Sequence, residues 1–240
     1  MSPLISVLIP TYNVGKYLGA ALDSVYAQTF GDYEIIVVDD GSTDGTETVI
    51  ARYPQVIYRK CPHRGISATR NECLSLAKGE WLAFLDADDL WHPEKLSRQL
   101  AYLQAHPDCR ILFTQAENFY DGDLTAMTSR QQQLANRKLS LILPSCLFHR
   151  SLYEIHGGFV EDYPWAEDTE WILRLRAAAV NLDHCLPEVL YFRRVHESNI
   201  SLTHTAENLW VGRTVFLNAM RSRVKLARKQ KIETEDTNHE

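Results

Sequence analysis

Short apolar runs alternate with helix-like segments through the first half of the chain, and this alternation limits the fold more than any other feature. The predicted strands, rich in apolar residues and bounded by turn residues, are 4–9, 33–38, 56–59 and 81–85. The segments between them with apolar residues at helical spacing are 14–28, 46–53 and 67–77. This alternation predicts an α/β fold, Rossmann-like, with a mainly parallel sheet and helices on both faces.

Polar clusters follow three of the predicted strands directly. They occupy residues 10–13, 39–42 and 86–89. Because ligands in such sheets bind beyond the carboxyl ends of the strands, we expect the three clusters to meet at one edge and to form the binding site there.

The last cluster places Asp86, Asp88 and Asp89 within four positions. Carboxylates this close repel one another unless a cation or several donors share the site. If the segment is extended, Asp86 and Asp88 point the same way and can face one hard divalent cation. The alternative is a helix over residues 91–100 with Asp89 as its cap, which explains one of the three carboxylates.

Other polar groups have ordinary structural explanations that spacing alone does not exclude. Residues 39–45 have the composition of a turn, and residues 64–71 are either a loop or an anion site at a helix N-terminus. Glu167 and Asp168 could simply stabilise the start of a helix, and His196 could be a hydrogen-bonded structural residue.

Taken together, the motifs are specific in their order and spacing. They are SVLIPTYNVGKYL from residue 6, EIIVVDDGSTDGT from residue 34, GISATRNECLSLAKGEWLAFLDADDLWHPEKL from residue 65, GGF at 157–159, the pair at 167–168 and YFRRVHESNIS from residue 191. The chain resembles the family 2 glycosyltransferases of the GT-A fold over more than four-fifths of its length. It lacks the Q-x-x-R-W motif, so it resembles the non-processive members.

The resemblance implies inverting transfer of a sugar from a nucleotide-diphosphate sugar, most often a UDP-sugar, to a hydroxyl acceptor. It implies Mn²⁺ or Mg²⁺ as cofactor, and a lipid-linked saccharide is one acceptor class. By resemblance, the catalytic base is Asp168, the metal site involves Asp88 and His196, and the acceptor side includes Trp165 and Glu167. The nucleotide-sugar site by resemblance comprises Pro10, Thr11, Tyr12, Asn13, Asp39, Arg70, Asp86 and Ala87.

We expect a single GT-A domain over residues 1–205, with a nucleotide-sugar half at about 1–120 and an acceptor half at about 121–205. A C-terminal helix is expected at 206–232 and a disordered acidic tail at 233–240. Basic residues near the end of that helix suit either a solvated helix end or a peripheral membrane contact.

Composition excludes several other classes of protein. A net charge of -6 argues against a nucleic-acid binder, and five cysteines without a CxxC pair argue against a zinc site or a disulfide framework. No segment has the pattern of a signal peptide or a membrane span, so we expect a cytoplasmic location, with peripheral binding at the inner membrane face as a further option.

The competing functions are a non-catalytic nucleotide-sugar binding module and a sugar nucleotidyltransferase. A dehydrogenase would need a G-x-G-x-x-G segment that the first helix lacks.

Overall fold

The computed structural model describes residues 2–120, 142–162 and 166–196. Its strands are β1 (Ile5–Thr11), β2 (Tyr33–Asp39), β3 (Ile57–Lys60), β4 (Trp81–Phe84), β5 (Leu90–Trp91), β6 (Ile111–Tyr120), β7 (Leu147–His149) and β8 (Cys185–Val195). Its α-helices are α1 (Gly15–Tyr26), α2 (Thr46–Ile50), α3 (Ile66–Leu76), α4 (Lys95–Ala105), α5 (Ser151–His156) and α6 (Glu167–Ala177), and a 3₁₀ turn covers Leu143–Ser145.

The strands of this part of the chain form one sheet in the order β3-β2-β1-β4-β7-β6-β8-β5. The first four strands are parallel to one another, as the sequence predicts. Antiparallel pairing begins where β7 joins β4 to β6, and β8 then pairs parallel with β6 and antiparallel with β5. The sheet therefore continues from the strands of residues 2–120 into those of residues 142–196.

Helices cover both faces of the sheet because successive strand residues point to opposite sides. Along the fully buried β1, Val7 and Ile9 pack with α1 and α4, whereas Leu8 packs with α3 and α6. Strands buried on both faces are continuously apolar, which is the pattern from which β1 and β2 are predicted. The α/β prediction is confirmed.

The structure corrects the predicted path after β4. Residues 86–89 form a turn, closed by a hydrogen bond from Asp89 N to the Asp86 carbonyl at 3.0 Å, and not an extended segment. The short strand β5 follows, and α4 begins only at Lys95. The alternative in which Asp89 caps a helix over residues 91–100 is therefore wrong.

Several predicted features lie outside the described residues. They are the stretch 121–141, Trp165, the C-terminal helix at 206–232 and the tail at 233–240. Within the ranges that are described, no helix has both the length and the apolar character needed to cross a bilayer.

Candidate active site

The polar ends of β1, β2 and β4 meet at one edge of the sheet, as predicted. Thr11 and Asp39 are partners in the β1–β2 register, and β4 pairs with β1 on its other side. Asn13 joins the first two clusters, since its N–H donates to Ser42 Oγ at 2.8 Å and its Oδ1 accepts from Thr43 N–H at 2.9 Å.

The turn at 86–89 gives its three carboxylates different surroundings. Asp86 faces Arg70, Asp88 faces His196, and Asp89 points inward to β8. Desolvation and the neighbouring Asp88 carboxylate raise the pKa of Asp86 against the opposing charge of Arg70. The crowding in the sequence is thus relieved by partners from three separate parts of the fold.

Arg70 is buried in α3 and bridges two carboxylates. Its Nη1 donates to Glu167 Oε1, and its Nη2 donates to Asp86 Oδ1 at 3.0 Å. Its guanidinium lies between the rings of Phe84 and Phe159, 5.6 and 5.8 Å from their centres. Burial lowers the pKa of Arg70, but the carboxylates of Glu167 and Asp86 outweigh it and raise the pKa, so the side chain stays charged.

Asp88 and His196 come together although 108 positions separate them in the sequence. His196 Nε2 lies 2.9 Å from Asp88 Oδ2, and the imidazole is tilted against the Tyr17 ring. Over residues 2–120, 142–162 and 166–196, no group of three or more His, Cys, Asp or Glu side chains is arranged to hold a metal ion. A carboxylate oxygen beside an imidazole nitrogen suits a divalent cation that takes its remaining ligands from phosphate oxygens and water, so the donor set fits Mn²⁺ or Mg²⁺.

Asp39 and Asp40 lie at the end of β2 and are both held by hydrogen bonds. Asp39 is fully buried and accepts from Ser42 N–H at 2.8 Å and from the Tyr58 hydroxyl at 2.7 Å. Asp40 accepts from the N–H groups of Arg64 and Gly65 at 2.7 and 2.8 Å. The amide groups just before α3, which the sequence suggests as an anion site, thus bind a carboxylate of the chain itself.

The remaining residues expected around the nucleotide differ in exposure. Pro10, Thr11 and Ala87 are buried, and Thr11 Oγ1 has no hydrogen-bond partner among the described residues. Tyr12 is 45% exposed, and its ring stacks on His63 at 4.2 Å. Tyr12 and Asn13 are therefore the exposed residues of this segment.

Glu167 and Asp168 form the first turn of α6, as the helix-start explanation requires, but they also face the cluster at the end of β4. Glu167 is buried against Arg70, whereas Asp168 is partly exposed and accepts from Thr169 N–H at 2.6 Å. Burial, opposed by Arg70, raises the pKa of Glu167, and the charge of Asp168 adds to this rise. The acidic pair thus belongs to the same charged cluster as Asp86.

Sequence patterns missed the groups that hold Asp89. They are Tyr191 and Arg194 of β8, which donate to its carboxylate. Both residues lie in the motif from residue 191, but nothing in that motif indicates which of its residues would meet the turn. His63 and Tyr58 were likewise not identified, because their partners Asp40 and Asp39 are reached only through the fold.

The sequence model of glycosyl transferase family 2 matches residues 6–156, well over half of the chain. The chain belongs to glycosyl transferase family 2. The matched range contains the polar ends of β1, β2 and β4, and ends within α5.

Two curated relatives are similar to this chain over more than four-fifths of its length. An uncharacterized glycosyltransferase of Rickettsia typhi is 31% identical over 237 residues, which covers 88% of this chain and 71% of the relative. The chondroitin synthase of Pasteurella multocida is 29% identical over 208 residues, covering 83% of this chain but only 21% of the synthase. The chain thus spans about a fifth of that larger protein.

Two solved structures share the fold. S. aureus TarS 1-349 in complex with UDP-GlcNAc matches with a TM-score of 0.69 at 24% identity, covering 90% of this chain and 65% of that chain. The mannosyltransferase PcManGT of Pyrobaculum calidifontis, in complex with GDP-Man and Mn²⁺, matches with a TM-score of 0.67 at 24% identity, covering 92% and 65%. This chain therefore spans just under two thirds of each, and the GT-A fold expected from the sequence is confirmed.

Proposed function

We propose that this family 2 glycosyltransferase is metal-dependent and inverting, and that it moves a sugar from a nucleotide-diphosphate sugar to a hydroxyl acceptor. The single observation that carries the proposal is the convergence at one sheet edge of two separate groups. One is the pair Asp88 and His196, which fits a divalent cation, and the other is the partly exposed carboxylate of Asp168 on α6. A cation on one side and a base on the other are what a single displacement requires.

The donor would lie across the ends of β1, β2 and β4. Thr11 and Tyr12 are assigned to the base pocket, and Asp39, oriented by Ser42 and Tyr58, is assigned a hydrogen bond to the base. Asp86 is assigned to the ribose. The complexes of TarS with UDP-GlcNAc and of PcManGT with GDP-Man support a nucleotide-diphosphate sugar as the donor class.

Each charged residue then has a defined task. A bound Mn²⁺ or Mg²⁺ supplies positive charge that stabilises the departing diphosphate. Asp88 and His196 would hold that ion, and Asp168 would accept the proton of the attacking hydroxyl. Arg70 was expected in the nucleotide-sugar site, and its burial between Asp86 and Glu167 favours a role in holding these two carboxylates.

For the acceptor and the cellular location, the proposal names only a class. The likeness to chondroitin synthase supports a saccharide acceptor in bacterial cell-surface polysaccharide or glycolipid synthesis. A lipid-linked saccharide, a cytoplasmic location and peripheral contact with the inner membrane face belong to the same proposal.

The test is a thermal-shift screen of nucleotide-diphosphate sugars with Mn²⁺, followed by a turnover assay with the donor that binds. A ligand at about 100 times its Kd adds about 2.7 kcal/mol to the free energy of unfolding, so the correct donor should raise Tm measurably. EDTA should abolish the shift and fresh Mn²⁺ should restore it. Asp88→Ala should prevent that restoration, whereas Asp108→Ala, at an exposed position, should behave as wild type. Full transfer in metal-free buffer would exclude metal dependence, and binding without turnover would favour the non-catalytic module.

Asp168→Asn tests the base separately. The substitution keeps size and polarity but removes the proton acceptor, so transfer should fall by roughly 10²- to 10⁴-fold, while donor affinity changes by less than about twofold. Asp183→Asn, at an exposed position, is the matched control. Loss of donor binding together with a lower Tm would make Asp168 a helix-start residue, and unchanged turnover would move the search to Glu167.

A further inference from the structure

Asp89 is the member of the acidic cluster that the proposed reaction leaves without a task. Its side chain is buried, and both carboxylate oxygens accept hydrogen bonds from β8: Oδ2 from the Tyr191 hydroxyl and Oδ1 from Arg194 N–H at 2.7 Å. A carboxylate engaged in this way faces the protein interior and is not directed to a ligand at the sheet edge.

Arg194 of β8 in turn donates a side-chain hydrogen bond to the turn at 86–89. Its Nε donates to the Asp88 carbonyl at 2.8 Å, while its guanidinium lies 5.0 Å from the Tyr17 ring centre and 4.6 Å from that of Phe119. A cationic group that lies over aromatic faces gains further attraction. The end of β8 and the turn at 86–89 therefore hold each other through both side chains and backbone.

These contacts between β8 and the turn lie next to the proposed metal site. His196 follows β8 directly, two residues beyond Arg194, and its Nε2 lies 2.9 Å from Asp88 Oδ2. The adjoining β5 extends the contact, since Leu90 and Trp91 pair with Phe192 and Tyr191. A shift of β8 relative to the turn would move His196 away from Asp88.

We propose that Asp89 is a positioning residue that fixes β8 to the turn and thereby holds His196 beside Asp88 for joint binding of the cation. The inference rests on the proposed metal site. It assigns Asp89 no contact with substrate or metal: the residue acts through Tyr191 and Arg194.

Metal binding without turnover gives the direct test. Free Mn²⁺ is measured by electron paramagnetic resonance during titration of the full chain in the presence of UDP. Asp89→Asn and Tyr191→Phe should each weaken Mn²⁺ binding by about tenfold or more, as is typical when an outer partner of a metal ligand is lost. Tyr191→Phe removes one hydroxyl only, so it keeps the test valid if Asp89→Asn does not fold.

Tyr102→Phe is the matched control. The Tyr102 hydroxyl lies 2.9 Å from His184 Nδ1, just before the other end of β8, so this variant loses a similar contact away from the turn. It should change Mn²⁺ affinity by less than about twofold. Wild-type Mn²⁺ affinity in both Asp89→Asn and Tyr191→Phe would overturn the inference.

Hydrogen exchange of the Arg194 amide separates this inference from the proposed function. In metal-free protein, Asp89→Asn or Tyr191→Phe should speed exchange at Arg194, and unchanged exchange in both would show that Asp89 does not hold β8. If the wild-type protein binds no Mn²⁺ with UDP present, the proposed metal dependence fails and the role of Asp89 in metal binding fails with it.

Discussion

Lys95 shows how a buried charge affects this protein at the scale of one residue. Its side chain is fully buried in α4, where Nζ donates to Gln99 Oε1 at 2.8 Å and lies 4.4 Å from the centre of the Trp91 ring. Burial lowers the pKa of Lys95 from 10.5 to about 7. Because the charged form is costly in these surroundings, folding favours the neutral amine.

The lowered pKa predicts a definite pH dependence of stability. Between about pH 7 and 10.5 the unfolded chain binds more protons at Lys95 than the folded protein, so the free energy of unfolding should rise with pH. This contribution is complete above the unfolded pKa and is lost as the pH falls towards 7. Its slope is at most about 1.4 kcal/mol per pH unit.

Lys95→Met should remove that slope and stabilise the protein most near pH 7. Urea unfolding at several pH values between about 7 and 10.5 measures the free energy of unfolding and its slope with pH. Lys60→Met is the control, because Lys60 is 42% exposed and pairs with Glu47 at the surface. An equal pH slope in wild type and Lys95→Met would contradict the assignment.

The individual residues of the candidate site were predictable from the sequence to different degrees. Asp86, Asp88 and Asp168 were identified from spacing and family resemblance, and the structure brings Asp88 together with His196. Asp89 was not understood, because its partners lie over a hundred positions further along the chain. Local sequence patterns identify a charged residue, but only the fold shows which groups form hydrogen bonds with it.

At the scale of elements, the Arg70–Glu167 ion pair joins α3 to the start of α6, and through Asp86 it also reaches the end of β4. The Asp168 backbone follows Glu167 directly, so this pair bears on the position of the proposed base. Removing Glu167 is costly, because the buried charge of Arg70 then keeps only Asp86 of the two carboxylates that it bridges.

Glu167→Gln should therefore lower the transfer rate more than donor affinity, since α6 carries the proposed base but none of the residues assigned to the donor. The free energy of unfolding should fall by about 1–3 kcal/mol. Glu170→Gln is the control on the same helix: it breaks the pair with Arg174, which lies within α6. The transfer rate, the donor affinity and the free energy of unfolding are measured for both variants. Equal losses of transfer in the two variants would refute the role of Glu167.

Elements were predicted well where they are long and periodic and poorly where they are short. The first four strands and first three helices agree with the predicted bounds to within three residues. The strands β5 and β7 have two and three residues, too few for a pattern to be recognised, and are defined by pairing with β8, β4 and β6. β8 begins at Cys185 and pairs with β6 across two register shifts, which no local sequence pattern indicates.

At the scale of the whole molecule, the sequence predicted an α/β protein with a parallel sheet but not the strand order. Pairing of β6 with β8, or of β4 with β7, joins segments far apart in the chain and depends on tertiary packing, which no local pattern reports. The strand order follows only from the structure.

The position of β7 limits how such a chain can be recombined. Because β7 lies between β4 and β6, the strands of residues 2–120 are joined into one sheet by a strand encoded after residue 142. The expected nucleotide-sugar half at about 1–120 and the expected acceptor half at about 121–205 therefore contribute strands to one sheet and are not independent segments of sequence. A chimera that takes its acceptor half from a relative must also match the edges of β4 and β6, so changes of acceptor are easier to obtain by substitutions around a retained β7 than by joining two halves.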